Sequence, residues 1–104
     1  MSELIPGLSE DSVSLVLSIL KAQKGVKEAI LFGSRAKGTY KPGSDIDIAI
    51  KGENIDKDVL SSLNAAFEES PLIYFVDVIS YSHITNPDLK VHIDRVGKVF
   101  FKRP

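Results

Sequence analysis

The chain has no cysteine, which excludes a disulfide framework, a zinc ribbon and a thiol nucleophile. It also lacks an excess of charge of either sign. Thirteen Lys and Arg stand against 14 Asp and Glu, for a net charge of −1, so a broadly cationic nucleic-acid-binding surface is disfavoured. No apolar run approaches the ~20 residues a helix needs to span a bilayer. Internal repeats, low-complexity tracts and linkers are missing too. The segment Met1–Gly7 has neither the basic start nor the apolar core of a secretory leader. The expectation is a soluble, cytoplasmic protein that contacts neither membrane nor nucleic acid directly. What remains is 104 residues, 43% hydrophobic and 26% charged, an ordinary globular balance. That length makes one domain over 1–104, with one core and little left for a separate substrate-binding lobe.

Helical and extended patterns alternate along the chain. Ser9 is a candidate N-cap, Glu10 and Asp11 suit a first helical turn, and Val13, Val16, Leu17 and Leu20 recur at helical spacing. Together they predict an amphipathic helix over about 10–22. The continuous apolar run Ala29-Ile30-Leu31-Phe32 predicts a strand buried on both faces. Residues 33–44 mix small and basic side chains and read as a turn, a short helix and a loop. Asp45-Ile46-Asp47-Ile48-Ala49-Ile50 alternates strictly. As a strand it puts Ile46, Ile48 and Ile50 on one face and Asp45, Asp47 and Ala49 on the other. Asp56 can cap a second helix over about 57–69, with Val59, Leu60, Leu63 and Phe67 inward. Residues 73–79 form a third strand, interrupted by Asp77. Asn86-Pro87 opens a third helix that carries Leu89, Ile93 and Val96 and stops at Gly97. Val99-Phe100-Phe101 closes the chain as a strand or packed tail. Phe75, Phe100 and Phe101 read as core, with Phe100-Phe101-Lys102-Arg103 equally open as a partner-docking edge. The expected class is α/β (α+β): a small mixed sheet with helices packed mainly on one face.

One stretch carries chemistry. Two carboxylates two apart on a strand have Cα atoms about 6.6–6.8 Å apart on the same face, and a core does not want that pair. A hard divalent cation resolves the conflict, because aspartate oxygens suit Mg²⁺, which also keeps waters and phosphate oxygens. If the third strand lies beside the second, Asp77 joins Asp45 and Asp47. Three such acids can hold two Mg²⁺ ions about 3.5–4 Å apart, the geometry of in-line nucleotidyl transfer. Gly33-Ser34 follows a buried strand, where glycine lets a phosphate approach the backbone and serine adds a hydroxyl donor. Arg35, Lys37 and Lys41 place three cations before Ser44 with no acid among them. A positive loop beside a negative pair is what a nucleoside triphosphate with its metal ions needs. A match of Gly33, Ser34, Gly38, Asp45 and Asp47 by chance has odds of about 10⁻⁶ per register at typical residue frequencies.

Gly33-Ser34, ten residues, then Asp45-Ile46-Asp47 resembles the GS-x10-DxD signature of the DNA polymerase β-like nucleotidyltransferase superfamily. The small size and Asp77 within Phe75-Val76-Asp77-Val78-Ile79 make the chain similar to its minimal nucleotidyltransferases. The resemblance spans about residues 26–79. It implies the polymerase β-like fold, with Asp45, Asp47 and Asp77 as catalytic and metal-binding residues. It also implies that Gly33 and Ser34 hold nucleotide phosphates, in a loop where Arg35 and Ser44 are further candidate nucleotide-binding residues. The implied reaction moves a nucleoside monophosphate, AMP from ATP, to a hydroxyl and releases pyrophosphate. The implied partner is a small helical HEPN-type protein, adenylylated on a tyrosine within a toxin–antitoxin pair, in a hetero-oligomer or beside a homodimer. Two alternatives stay open: a non-catalytic subunit that neutralises its partner by binding, and an aminoglycoside-type small-molecule nucleotidyltransferase. His83 and His92 flank no cluster resembling a zinc site and read as structural or surface residues, although His92 lies on a predicted helix that a partner could meet. Tyr40 reads as an exposed loop residue, and Lys90, Arg95 and Lys98 as a solvated face.

Overall fold

The computed structural model describes residues 4–104; Met1–Glu3, the start of the segment read above for a leader, lie outside the described residues. In chain order the elements are α1 (Glu10–Ala22), β1 (Val26–Phe32), α2 (Ser34–Lys37), β2 (Ile46–Gly52), α3 (Lys57–Glu69), β3 (Val76–Ser80), a 3₁₀ turn (Tyr81–His83), α4 (Pro87–Val96) and β4 (Lys98–Lys102). The three longer helices start where the sequence offers an acceptor to their orphan amides. Ser9 accepts from Ser12 N–H, Asp56 from Val59 N–H, and Asn86 from Asp88 and Leu89 N–H.

The strands form one mixed sheet in the order β3-β2-β1-β4. β1 pairs antiparallel with both β2 and β4, and β2 pairs parallel with β3 through the α3 crossover. On one face, Ala29 and Leu31 of β1, Ile46, Ile48 and Ile50 of β2, and Val76 and Val78 of β3 pack with Val16, Leu20, Leu63 and Phe67 of α1 and α3. The other face holds a smaller cluster of Ile30, Phe32 and Ala49 under Ile93 of α4. The main face carries two helices, as expected. The second face is covered only in part, and its open end is where the acids lie. None of the described helices is long and apolar enough to cross a membrane.

Phe100 and Phe101 are buried, but Phe75 is 66% exposed and Ile73 is 87% exposed. The expectation that Phe75 is core is therefore corrected. β3 begins only at Val76, and its buried face carries the even positions Val76, Val78 and Ser80. Phe75 thus shares the outward parity of Asp77. As an edge strand, β3 also has spare backbone groups. One is met by α3, where Asn64 Oδ1 accepts from Val78 N–H at 3.4 Å.

Candidate active site

Sheet register assembles the site. Because β1 and β2 are antiparallel, the end of one meets the start of the other, and Phe32 pairs with Asp47. Because β2 and β3 are parallel neighbours, Asp47 pairs with Asp77, about 4.8 Å across at backbone level. Asp45 stands one residue ahead of β2 and is exposed. Burial pushes the Asp47 carboxyl up from its ordinary value, and the charges of Asp77 and Asp45 push it the same way. The acids therefore share one field, and their repulsion is built into the strand pairing.

Among the described residues, no three His, Cys, Asp or Glu side chains are grouped to hold an ion by themselves. What the sheet end offers is an open row of carboxylate oxygens. That donor set fits a hard cation whose remaining ligands are water and phosphate, as Mg²⁺ prefers, and does not fit an all-protein cage. The nearby His92 ring nitrogen Nε2 is already taken, since it accepts the Gly33 N–H at 3.2 Å.

Gly33 is held at φ 76° and ψ −156°, a conformation that side chains with a Cβ rarely adopt. Its backbone also lies close against Asp47, because a Cβ there would collide with the Asp47 carboxylate. Ser34 opens α2 beside it, half-buried. The structure thus brings Gly33, Ser34, Asp47 and Asp77 together, with Asp45 at the margin.

Arg35 and Ser44 are placed differently. Arg35 is only 2% exposed. Its Nε and one terminal nitrogen (Nη2) donate to Ser44 O at 3.2 and 2.8 Å, and the other terminal nitrogen (Nη1) donates to Pro6 O at 2.7 Å. The guanidinium lies between the rings of Tyr40 and Tyr74, 5.1 and 4.9 Å from their centres. These contacts hold the guanidinium inside the fold, so Arg35, a candidate nucleotide-binding residue by sequence, sits buried rather than exposed in its loop. Ser44 Oγ in turn accepts from Lys41 N–H at 2.8 Å and closes the loop ahead of Asp45. The pair clamps the 38–44 loop and the segment before α1 in place.

Two more residues flank the turn: His92, which the sequence left as a structural or surface residue, and Lys37 of the basic loop. His92 projects from α4 and sets its ring edge-on to Phe32, 6.2 Å between centres. Its signal was present in the helix pattern: position 92 is three after Leu89 and four before Val96, on the border of the inward stripe. Lys37 is exposed at the end of α2 and, with His92 and Arg95, lines a cleft of about 280 Å³ beside the turn. A second cavity of about 480 Å³ runs from Asp77 past Phe75 and Ile73 to Phe67 and Asn64 of α3.

With the turn and the strand-borne acids in place, comparison with known proteins is decisive. Residues 16–104 match the model of a family described as polymerase beta, nucleotidyltransferase. The chain belongs to that family. A Haemophilus influenzae nucleotidyltransferase described as a probable protein adenylyltransferase, MntA, is 32% identical over 90 residues, covering 86% of this chain and 78% of the relative. Among solved structures, a toxin–antitoxin complex with AMP-PNP superposes with a TM-score of 0.72 at 24% identity, covering 92% of this chain and 75% of that one. A chain of a Shewanella oneidensis structure, a tri-AMPylated HEPN toxin in complex with MNT antitoxin, superposes at 0.62 with 18% identity, covering 92% of this chain and 74% of that one. At those identities the two structures show the fold alone, in agreement with the family match.

Proposed function

We propose that this chain is a Mg²⁺-dependent adenylyltransferase that moves AMP from ATP to a tyrosine hydroxyl of a small helical HEPN-type partner, as the antitoxin of the pair. The observation that carries this reading is the Asp47–Asp77 pairing across parallel strands, against the Gly33-Ser34 turn. The MntA likeness supports the protein acceptor, and the two toxin–antitoxin likenesses support the kind of partner.

Asp45, Asp47 and Asp77 would hold the metal, of which two ions are proposed. A divalent cation held there would neutralise phosphate charge and favour ionisation of the attacking hydroxyl. The chain's own residues do the rest. Ser34 and the backbone after Gly33 grip the β- and γ-phosphates, and Lys37 supplies the nearby positive charge that the sequestered Arg35 does not. Asp77, exposed on the edge strand, meets the acceptor hydroxyl and takes its proton. The hydroxyl oxygen bonds to the α-phosphorus, the bond from that phosphorus to the bridging oxygen breaks, and pyrophosphate leaves.

The test is calorimetric titration of Mg²⁺ with ATP into wild type and Asp47→Asn. Tight binding to wild type and a loss of at least tenfold in the variant, with an unchanged circular dichroism spectrum, is the expected result. Equal binding by both would remove Asp47 from the site and overturn the assignment.

A further inference from the structure

Gly33 departs from the sheet at the point where β1 ends. Its φ of 76° turns the chain out of the ladder, so its N–H must find a partner elsewhere or be left unsatisfied. The partner is His92 Nε2, at 3.2 Å and 59 residues away in sequence. The bond fixes the tautomer: Nε2 accepts, so the ring proton is on Nδ1. The ring is in turn fixed by its edge contact with Phe32, the residue just before the turn. Ile93, next to His92, is buried against Ile30 and Ala49, which anchors this part of α4 to the sheet. A rigid helix therefore reaches across and holds the one backbone amide on which the turn pivots.

We infer that His92 is a positioning residue for nucleotide binding: by holding the Gly33 N–H it sets the Gly33-Ser34 turn against Asp47, and so fixes the place the triphosphate must occupy. Two features make this more than a structural tie. Gly33 has no room for a Cβ because the Asp47 carboxylate lies against it, so a displacement of the turn is felt directly by that acid. His92 also lines the cleft shared with Lys37, Arg95 and Asp88, so the residue that holds the turn also faces the charged side chains beside it. This inference rests on the nucleotide-binding reading above, and its test separates the two.

The variants are His92→Phe, which keeps a ring against Phe32 but has no acceptor, and His92→Gln, whose side-chain oxygen restores one. Two quantities are read in folded protein: the chemical shift and hydrogen exchange of the Gly33 amide, and the Kd for ATP with Mg²⁺. In His92→Phe the Gly33 amide should shift and exchange faster, and Kd should rise about tenfold, as losing the support of a site residue commonly does. His92→Gln should recover both, while melting temperatures of the two variants stay close. A Gly33 amide identical in wild type and His92→Phe overturns the inference. So does an altered amide with unchanged nucleotide affinity, or a folded His92→Gln as impaired as His92→Phe. If wild type binds no nucleotide, the functional reading fails on its own and the inference, resting on it, falls with it; the amide then still reports whether the hydrogen bond exists.

Discussion

Arg35 lies in the basic loop between the Gly33-Ser34 turn and Asp45, and its side chain is buried. A buried cation held by backbone carbonyls and two tyrosine faces is a clamp. Removing it leaves Ser44 O and Pro6 O without their donor and opens a gap between the rings. Arg35→Ala should cost about 3 kcal/mol in stability, and Arg35→Lys should recover only part of it, because an ammonium cannot fork between two carbonyls in one plane. Urea denaturation of the three proteins measures this. If the alanine variant is as stable as wild type but has lost nucleotide affinity, Arg35 is a ligand after all. Asp47 makes the opposite case. Its raised pKa means that its contribution to the metal-free fold is whole below the ordinary carboxylate value of 3.8 and is lost as pH rises through the raised value. Ionised at neutral pH, it opposes folding until a cation compensates. Asp47→Asn should therefore melt no lower than wild type in EDTA at pH 7, with the difference shrinking toward pH 4. Saturating Mg²⁺ and ATP should raise the melting temperature of wild type only. A variant less stable than wild type in EDTA at pH 7 would show that the carboxylate is structural.

At the scale of elements, the local rules decided nearly everything. Ser9, Asp56 and Asn86 act as the caps their positions announced, and the helices they open run where the apolar spacing put them. Asp56→Ala should cost about 1 kcal/mol and act through α3, whose crossover brings β3 beside β2. Thermal melting checks the loss, and no change would mean that the α3 amides find other partners. The alternation of 45–50 placed the three isoleucines inward and left Asp47 on the other face. Parity in β3 was harder to read. Ile73, Phe75 and Ile79 outvote Val76 and Val78 by hydrophobicity, yet the even positions are buried because the strand starts late and the preceding loop turns Phe75 and Ile73 outward. The location of the acids was legible because strand pairing follows from pattern. The sequestering of Arg35 was not, since it depends on Tyr40, Tyr74 and Pro6 arriving from three separate segments. His92 lay between these cases: its helix position was readable, but its partner 59 residues away was not.

For the whole molecule, a net charge of −1 conceals an arrangement in which like charges gather at one sheet end. The acids crowd the edge formed by β2 and β3. Lys37 and Arg95 stand across the turn, and exposed Phe75 and Ile73 adjoin Asp77 on the free edge. The proposed reaction needs a triphosphate at this sheet end and a partner protein that brings its hydroxyl to the free edge beside Asp77. The most direct measurement is the intact mass of a HEPN-type partner after incubation with ATP, Mg²⁺ and either wild type or Asp47→Asn. The expected result is a gain of one or more AMP masses with wild type alone, accompanied by release of pyrophosphate. A stable complex that binds Mg²⁺ and ATP yet leaves the partner's mass unchanged would contradict transfer to that partner and point to neutralisation by binding.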